Sequence, residues 1–442
     1  MTHITDLAQQ PAVRAALAGY RARLDDIVAQ IVAIQQVPAP TFDEARRAEY
    51  MTAQFRAAGV TDVERDALHN VFARLPGRDA GRPPLVVSAH LDTVFPATTD
   101  LTTRREGALL YGPGIGDNST GLAGLLVLAR TLVERALPHA ADIVLVANVG
   151  EEGLGDLRGM RAVVERFGER AVYVVVEGGL FGQLTHQAIG VRRYRIEVTA
   201  PGGHSWGGFG AASAIHVLGH LIAAIDQLDV PAAPKTTYNV GIIEGGTSIN
   251  TIANSARLWL DLRSEAPEEL ARLVERVQAI LRDLNHEHEA AEDGVRLVAE
   301  EVGNRPAGAI SRDAPIVAHA DAALRAVGCP DAHYIVSSTD ANIPLSRGYE
   351  AVCLGLTQSG NSHRPDEYID IRHLPDGLGQ LLLVVLAAAG SSCSAGWQPT
   401  VREQGRGEGF TDRSFSPITT KGLKPFEIHR CSGSRRFRSK SV

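Results

Sequence analysis

Short apolar runs recur along the first 180 residues of this chain and alternate with longer helical stretches. They are Val71–Leu75, Leu85–Ala89, Ile143–Val149 and Val172–Glu177. Runs of this length without polar alternation read as strands buried on both faces. Between the second and third lies a Leu/Ala-rich helix, about Leu122 to Leu137, whose start is marked by Asp117-Asn118-Ser119-Thr120. Residues from about 14 to 58 read as two helices, interrupted at Val37-Pro38-Ala39-Pro40 with Thr41 as the next N-cap. Strands that alternate with helices predict an α/β fold, a mostly parallel sheet flanked by helices on both faces.

The pattern changes near Gly190. Arg192–Thr199 alternates polar and apolar side chains, as a half-exposed strand does. A helix follows at about Ala211 to Leu228, then strands at Thr236–Ile243 and Ala256–Leu262. A charged amphipathic helix at about Glu268 to Leu284 and a strand at Val295–Glu300 complete the series. The order β-α-β-β-α-β is that of a ferredoxin-like α+β unit. The earlier style then resumes, with a helix at about Ala314–Ala326, strands at Tyr334–Val336 and Ala351–Leu354, and a last helix at about Leu374–Ala389. The expected organisation is a discontinuous catalytic domain, residues 1–190 and 306–390, with an inserted lid at 191–305. Residues 391–442 carry ten Lys/Arg against four Asp/Glu and no apolar period, and read as a disordered basic tail.

The 442 residues carry a formal charge of −7, which argues against nucleic acid as a partner. No apolar run reaches the roughly 18 residues of a membrane span, and the N-terminus has no basic start leading into an apolar stretch. The four cysteines form no Cys-x-x-Cys pair, so a cytoplasmic location is expected.

Chemistry concentrates where the strands end. Ser88-Ala89-His90-Leu91-Asp92-Thr93 follows one apolar run and Gly150-Glu151-Glu152-Gly153 another. Ligands bind at the carboxyl ends of strands in open α/β sheets, and His and carboxylate are the ligands of catalytic zinc. Five candidate metal ligands fall at such ends or in loops: His90, Asp117, Glu152, Glu177 and His363. Asp117 lies in the Gly-rich stretch Tyr111 to Gly121. Its glycine spacing, the intervening Pro113 and the missing preceding strand do not fit a dinucleotide fingerprint. Such a loop instead lets the backbone turn sharply and bring one carboxylate to a metal. Two ions about 3.5–4 Å apart need a bridging carboxylate and a terminal set on each side, and the five candidates match that inventory. Asp92, two residues beyond His90, points the same way along a strand and can accept the other ring N–H of His90. Glu151 and Glu152 diverge, so Glu152 is assigned to metal and Glu151 to the general base. His216, His220, His286 and His288 read as packing or solvated residues, and Ser337-Ser338-Thr339-Asp340-Ala341-Asn342 as a wall of the site.

These motifs, with Gly116-Asp117-Asn118-Ser119-Thr120-Gly121 and Ser362-His363-Arg364-Pro365-Asp366-Glu367, resemble the co-catalytic zinc metallopeptidases of clan MH. That family includes peptidase T, glutamate carboxypeptidase, aminoacylase and acetylornithine deacetylase. The resemblance runs from about residue 20 to 390 in the family's order. It implies that His90 and Glu177 hold one divalent ion and Glu152 and His363 the other, with Asp117 bridging. It also implies a cis peptide between Asp117 and Asn118. The ions are expected to be zinc, with cobalt or manganese also open. Pro201-Gly202-Gly203-His204-Ser205 resembles the family's lid motif, whose histidine is implied to polarise the scissile carbonyl, often across a dimer. Asn250, in Gly245-Gly246-Thr247-Ser248-Ile249-Asn250, and Arg305, in Gly303-Asn304-Arg305-Pro306, resemble substrate-binding residues, Arg305 through the substrate carboxylate. The implied activity is amide hydrolysis, as an exopeptidase on small peptides or as an N-acyl amino acid deacylase, in a homodimer joined by the lid. A family member that binds peptides without cleaving them is the reading from another class.

Overall fold

The computed structural model describes residues 4–391. A nine-stranded mixed sheet runs through the centre. Its main path is Asp62–Arg65, Val71–Leu75, Ile143–Asn148, Leu85–His90, Val172–Glu177, Ala351–Gly355, Gln183–Ala188 and Gly308–Ala309, and His333–Ser337 pairs with Gln183–Ala188. Leu85–His90 runs parallel to both of its neighbours, as does Val172–Glu177. The four expected strands are all present within one residue of their expected ends.

Each central strand feeds two cores because its side chains alternate between faces. Val87, Ala89, Leu145, Ala147, Val174 and Val176 pack under the N-terminal helices, Gly121–Glu134, Pro315–Ala326 and Leu374–Ala388. Val86, Val144, Val146, Tyr173 and Val175 face Arg158–Phe167 and the short helix Asn342–Ser346. Burial on both sides explains why these strands read as unbroken apolar runs. The N-terminal region differs from expectation. It folds as three longer helices, Pro11–Ala22, Leu24–Gln35 and Ala45–Ala57, preceded by Ile4–Gln9. The extra break falls at Arg23, whose φ of −109° leaves helical geometry.

Residues 190–305 form a separate antiparallel sheet, ordered Thr236–Gly245, Ser255–Ser264, Gly190–Thr199, Arg296–Arg305. Helices Ala214–Asp226 and Pro267–Ala291 bury Val217, Leu218, Leu221 and Leu273, Val274, Val277 against it, giving this sheet its own core. Sequence patterning gave no sign of a third sheet, made of Arg104–Glu106, Leu109–Tyr111, Gln358–Gly360 and Tyr368–Asp370. Its strands are three residues each, too short to show a period.

Among the described residues no helix is long and apolar enough to cross a membrane, and Cys329 and Cys353 are free thiols. The basic tail expected at 391–442 lies almost wholly outside the described residues.

Candidate metal centre

Three neighbouring strands deliver the site. Ile143–Asn148, Leu85–His90 and Val172–Glu177 lie side by side with His90 in register with Asn148. Their carboxyl ends therefore present Glu151 and Glu152, His90, and Glu177 along one edge. The fourth and fifth groups come from loops that the small third sheet holds together. Leu109–Tyr111 leads into the Asp117 loop, and it pairs with Tyr368–Asp370, which closes the His363 loop. The Asp117 loop turns through Gly114 at φ 66°, and Gly178 lets it approach the end of the Glu177 strand. A Cβ at residue 178 would lie 1.8 Å from the Gly116 carbonyl oxygen. The Asp117–Asn118 peptide is cis, as the resemblance implied.

Asp117 sits between two histidines. Its Oδ1 is 3.0 Å from His90 Nε2 and its Oδ2 is 3.1 Å from His363 Nε2. Glu177 Oε2 lies 3.8 Å from His90 Nε2, and Glu152 Oε1 lies 3.0 Å from His363 Nε2. Donor atoms of His90, Asp117 and Glu152 all fall within 4.8 Å of one another. The structure thus brings all five expected ligands together. They divide into His90 with Glu177 and His363 with Glu152, on opposite oxygens of Asp117. Three carboxylates and two imidazoles are oxygen and nitrogen donors of the kind divalent transition metals take, so the donor set fits such ions.

The electrostatics record the same crowding. Hydrogen bonds to Asp117 and Glu152 lift His363 to about 10. Burial pulls His90 down, but its contacts with Asp117 and Asp92 outweigh this and hold it well above its ordinary value. Burial pushes Glu151 up to about 8 against the opposing pull of Arg305, and burial drives Glu177 well upward too. Burial pushes Asp340, behind the site, up to about 6.

Asp92 has more partners than the expected one. His90 Nδ1 meets the backbone carbonyl of Asp92 at 3.0 Å, while the nearer carboxylate oxygen is 3.5 Å away. The carboxylate also accepts the backbone N–H groups of Glu151 and Glu152, both at 2.9 Å, and the Thr41 hydroxyl at 2.9 Å. Asp92 therefore fixes the Glu151-Glu152 turn. Its carboxylate is turned to the neighbouring strand's exit because two unpaired N–H groups wait there.

Arg305 has partners inside the protein that sequence reasoning did not foresee. It is buried, and its Nη1 donates to Glu151 Oε1 at 2.9 Å while Nη2 donates to the Glu151 carbonyl. Arg305 also lines the cavity, and its Nε has no partner among the described residues. The cations on the cavity wall that sequence reasoning missed are Arg193 and Arg263, which share Asp261. Both belong to half-exposed, alternating strands, where an arginine carries no signal of function. The cavity holds about 480 Å³ and is also lined by Ser337, Ser338 and Thr339, the expected wall.

His204 and Asn250 are not brought to this cavity. They sit together on an exposed ribbon, where Ser205 N donates to the Asn250 carbonyl at 3.0 Å and His204 pairs with Thr251. Glu367 was also missed as a working residue. Its buried carboxylate accepts the N–H groups of Gly114, Gly116 and Asp117 at 3.2, 2.7 and 2.8 Å. It lies four residues beyond His363, so one loop supplies a ligand and also holds the loop of another.

Fold and donor cluster together define an α/β protein with a candidate divalent-metal site beside the carboxyl edge of its central sheet. The chain belongs to peptidase family M20/M25/M40, whose profile matches residues 86–387. It is 26% identical over 389 residues to acetylornithine deacetylase of Myxococcus xanthus, covering 81% of this chain and 94% of that protein. It is 24% identical over 366 residues to succinyl-diaminopimelate desuccinylase of Corynebacterium glutamicum, covering 80% and 94%. In fold it is similar to a tripeptidase from Staphylococcus aureus, with a TM-score of 0.69 at 22% identity over 83% of this chain and 98% of that one. As a member of this family the chain is an enzyme that hydrolyses amide bonds with the help of divalent metal.

Proposed function

We propose that this chain is a dinuclear exopeptidase acting on di- or tripeptides. The observation that carries the two-ion reading is Asp117, whose two carboxylate oxygens face two different imidazoles at 3.0 and 3.1 Å. His90 and Glu177 would hold one ion and Glu152 and His363 the other. Bound there, the ions supply Lewis acidity to the scissile carbonyl and acidify water. Glu151 lines the same cavity and takes the proton of the attacking water, then gives it to the leaving amine. Asp92 holds the Glu151 backbone so that the carboxylate stays aimed inward. Arg193 and Arg263 also line the cavity and offer it guanidinium groups, suited to the carboxylate end of a small peptide or an N-acyl amino acid.

Deacylation of an N-acyl amino acid uses the same residues, and the deacetylase and desuccinylase relatives favour it as the second reading. We further propose that residues 191–305 serve as a lid and dimer interface between catalytic segments 1–190 and 306–390. His204 and Asn250 lie together on the lid's exposed ribbon, which suits service to a partner subunit's cavity. Zinc is the proposed metal.

Glu151→Gln tests the assignment. The variant is expected to keep its metal, by elemental analysis, and to lose turnover by about 10²–10⁴-fold. Turnover near wild type in a metal-loaded variant would remove Glu151 from the chemistry.

A further inference from the structure

The chain crosses between the central and inserted sheets twice, and the two crossings lie together. Gln183–Ala188 runs out through Ile189 into Gly190–Thr199, and Arg296–Arg305 returns through Pro306 to Gly308–Ala309. Arg305 pairs with Val191 across the two exits. The side-chain amide of Asn342 spans both, donating to the Ile189 carbonyl at 2.7 Å and to the Pro306 carbonyl at 3.0 Å. This is the junction of the two sheets, with a single side chain clasping both strands.

From that junction three groups reach the loop that carries Glu151 and Glu152. Arg193 Nη1 donates to the Gly153 carbonyl at 2.8 Å. The Asn304 N–H donates to Asp156 Oδ1 at 2.8 Å. Arg305, 5% exposed, donates to Glu151 twice and to the Ser338 hydroxyl at 3.3 Å. Glu151 is thereby fixed at its amide by Asp92, and at its carbonyl and Oε1 by Arg305. Among the described residues no donor engages Oε2, which is left for the cavity that Glu151 lines.

We propose that Arg305 is the positioning residue of the base: from the junction it sets the rotamer of Glu151 and ties the inserted sheet to it. The proposal rests on the reading of Glu151 as base. A planar fork suits the task because two N–H groups in fixed relation can hold a carbonyl and a carboxylate of one residue at once. Lysine cannot reproduce that pair. A shift of about 1 Å in a catalytic group costs on the order of 100-fold in rate.

The test compares wild type, Arg305→Lys, Arg305→Ala and the junction variant Asn342→Ser, all metal-loaded. Each is assayed on a cleaved peptide and on its C-terminally amidated counterpart. The expected result is a fall in kcat of about 100-fold in Arg305→Ala with KM and metal content little changed. Arg305→Lys recovers only part of it, added guanidinium restores part of Arg305→Ala, and Asn342→Ser shows a smaller loss of the same kind. A loss expressed in KM and confined to the free-carboxylate peptide would make Arg305 a substrate anchor and overturn the proposal. So would an unchanged kcat in metal-loaded Arg305→Ala. If Arg305→Ala does not fold, Arg305→Lys and Asn342→Ser decide by the same split of kcat from KM. Wild type that cleaves neither peptide when metal-loaded would refute the hydrolase assignment itself, a result distinct from either of these.

Discussion

The contact between Asp117 and its two histidines has a consequence for protons. Two imidazoles held by three carboxylates keep their protons far above the ordinary histidine range, His363 to about 10. A metal ligand must be a neutral imidazole. Ions entering the site at pH 8 therefore displace protons from His363 and His90. Apparent metal affinity is expected to rise with pH from 6 to 9, since the competing proton is the species being diluted. Calorimetric titration in two buffers of different ionisation enthalpy reads the number released. Affinity independent of pH, with no buffer-dependent heat, would mean that the histidines are neutral before binding. Single residues also show where sequence stops informing. The five donors were legible because each follows an apolar strand or sits in a glycine-rich or motif-bearing loop. The partners of Asp92 and Arg305 were not. For both it is Glu151, in the loop after a neighbouring strand, 59 and 154 residues away in the chain.

Among elements, the three-residue strands matter more than their length suggests. Tyr368–Asp370 pairs with Leu109–Tyr111, and this seats the His363 loop against the Asp117 loop. Glu367 then closes the joint with three backbone N–H groups on one carboxylate, and burial against this arrangement raises it to about 7. In Glu367→Gln one carboxylate oxygen becomes an NH2 that faces an N–H donor. The variant is expected to fold, as circular dichroism would show, and to bind metal about 10–100-fold more weakly, the usual cost of losing a group that orients a ligand. Wild-type affinity would mean the Asp117 loop holds its shape unaided. The long elements were readable because buried strands and amphipathic helices write a period into the sequence. The third sheet wrote none, so the joint between the two ligand loops could not be foreseen. The break at Arg23 was missed for a related reason: no Pro or Gly marks it.

On the scale of the molecule, one sheet edge and two loops gather the ligands, and a second sheet, joined at Ile189 and Pro306, adds Arg193 and Arg263 to the cavity wall. The β-α-β-β-α-β order was visible in the sequence, but its hold on the Glu151 loop was not, since that hold is made by side chains at the crossings. The central claim is that the five donors hold two divalent ions without which the chain cannot hydrolyse an amide. The direct measurement is to strip the purified protein with a chelator, add zinc stepwise, and follow bound metal and cleavage of a panel of dipeptides, tripeptides and N-acyl amino acids. The account predicts no cleavage in the stripped protein, binding that saturates at two ions per chain, and recovery of activity as they bind. Full activity in the stripped protein, or saturation at one ion, would contradict it.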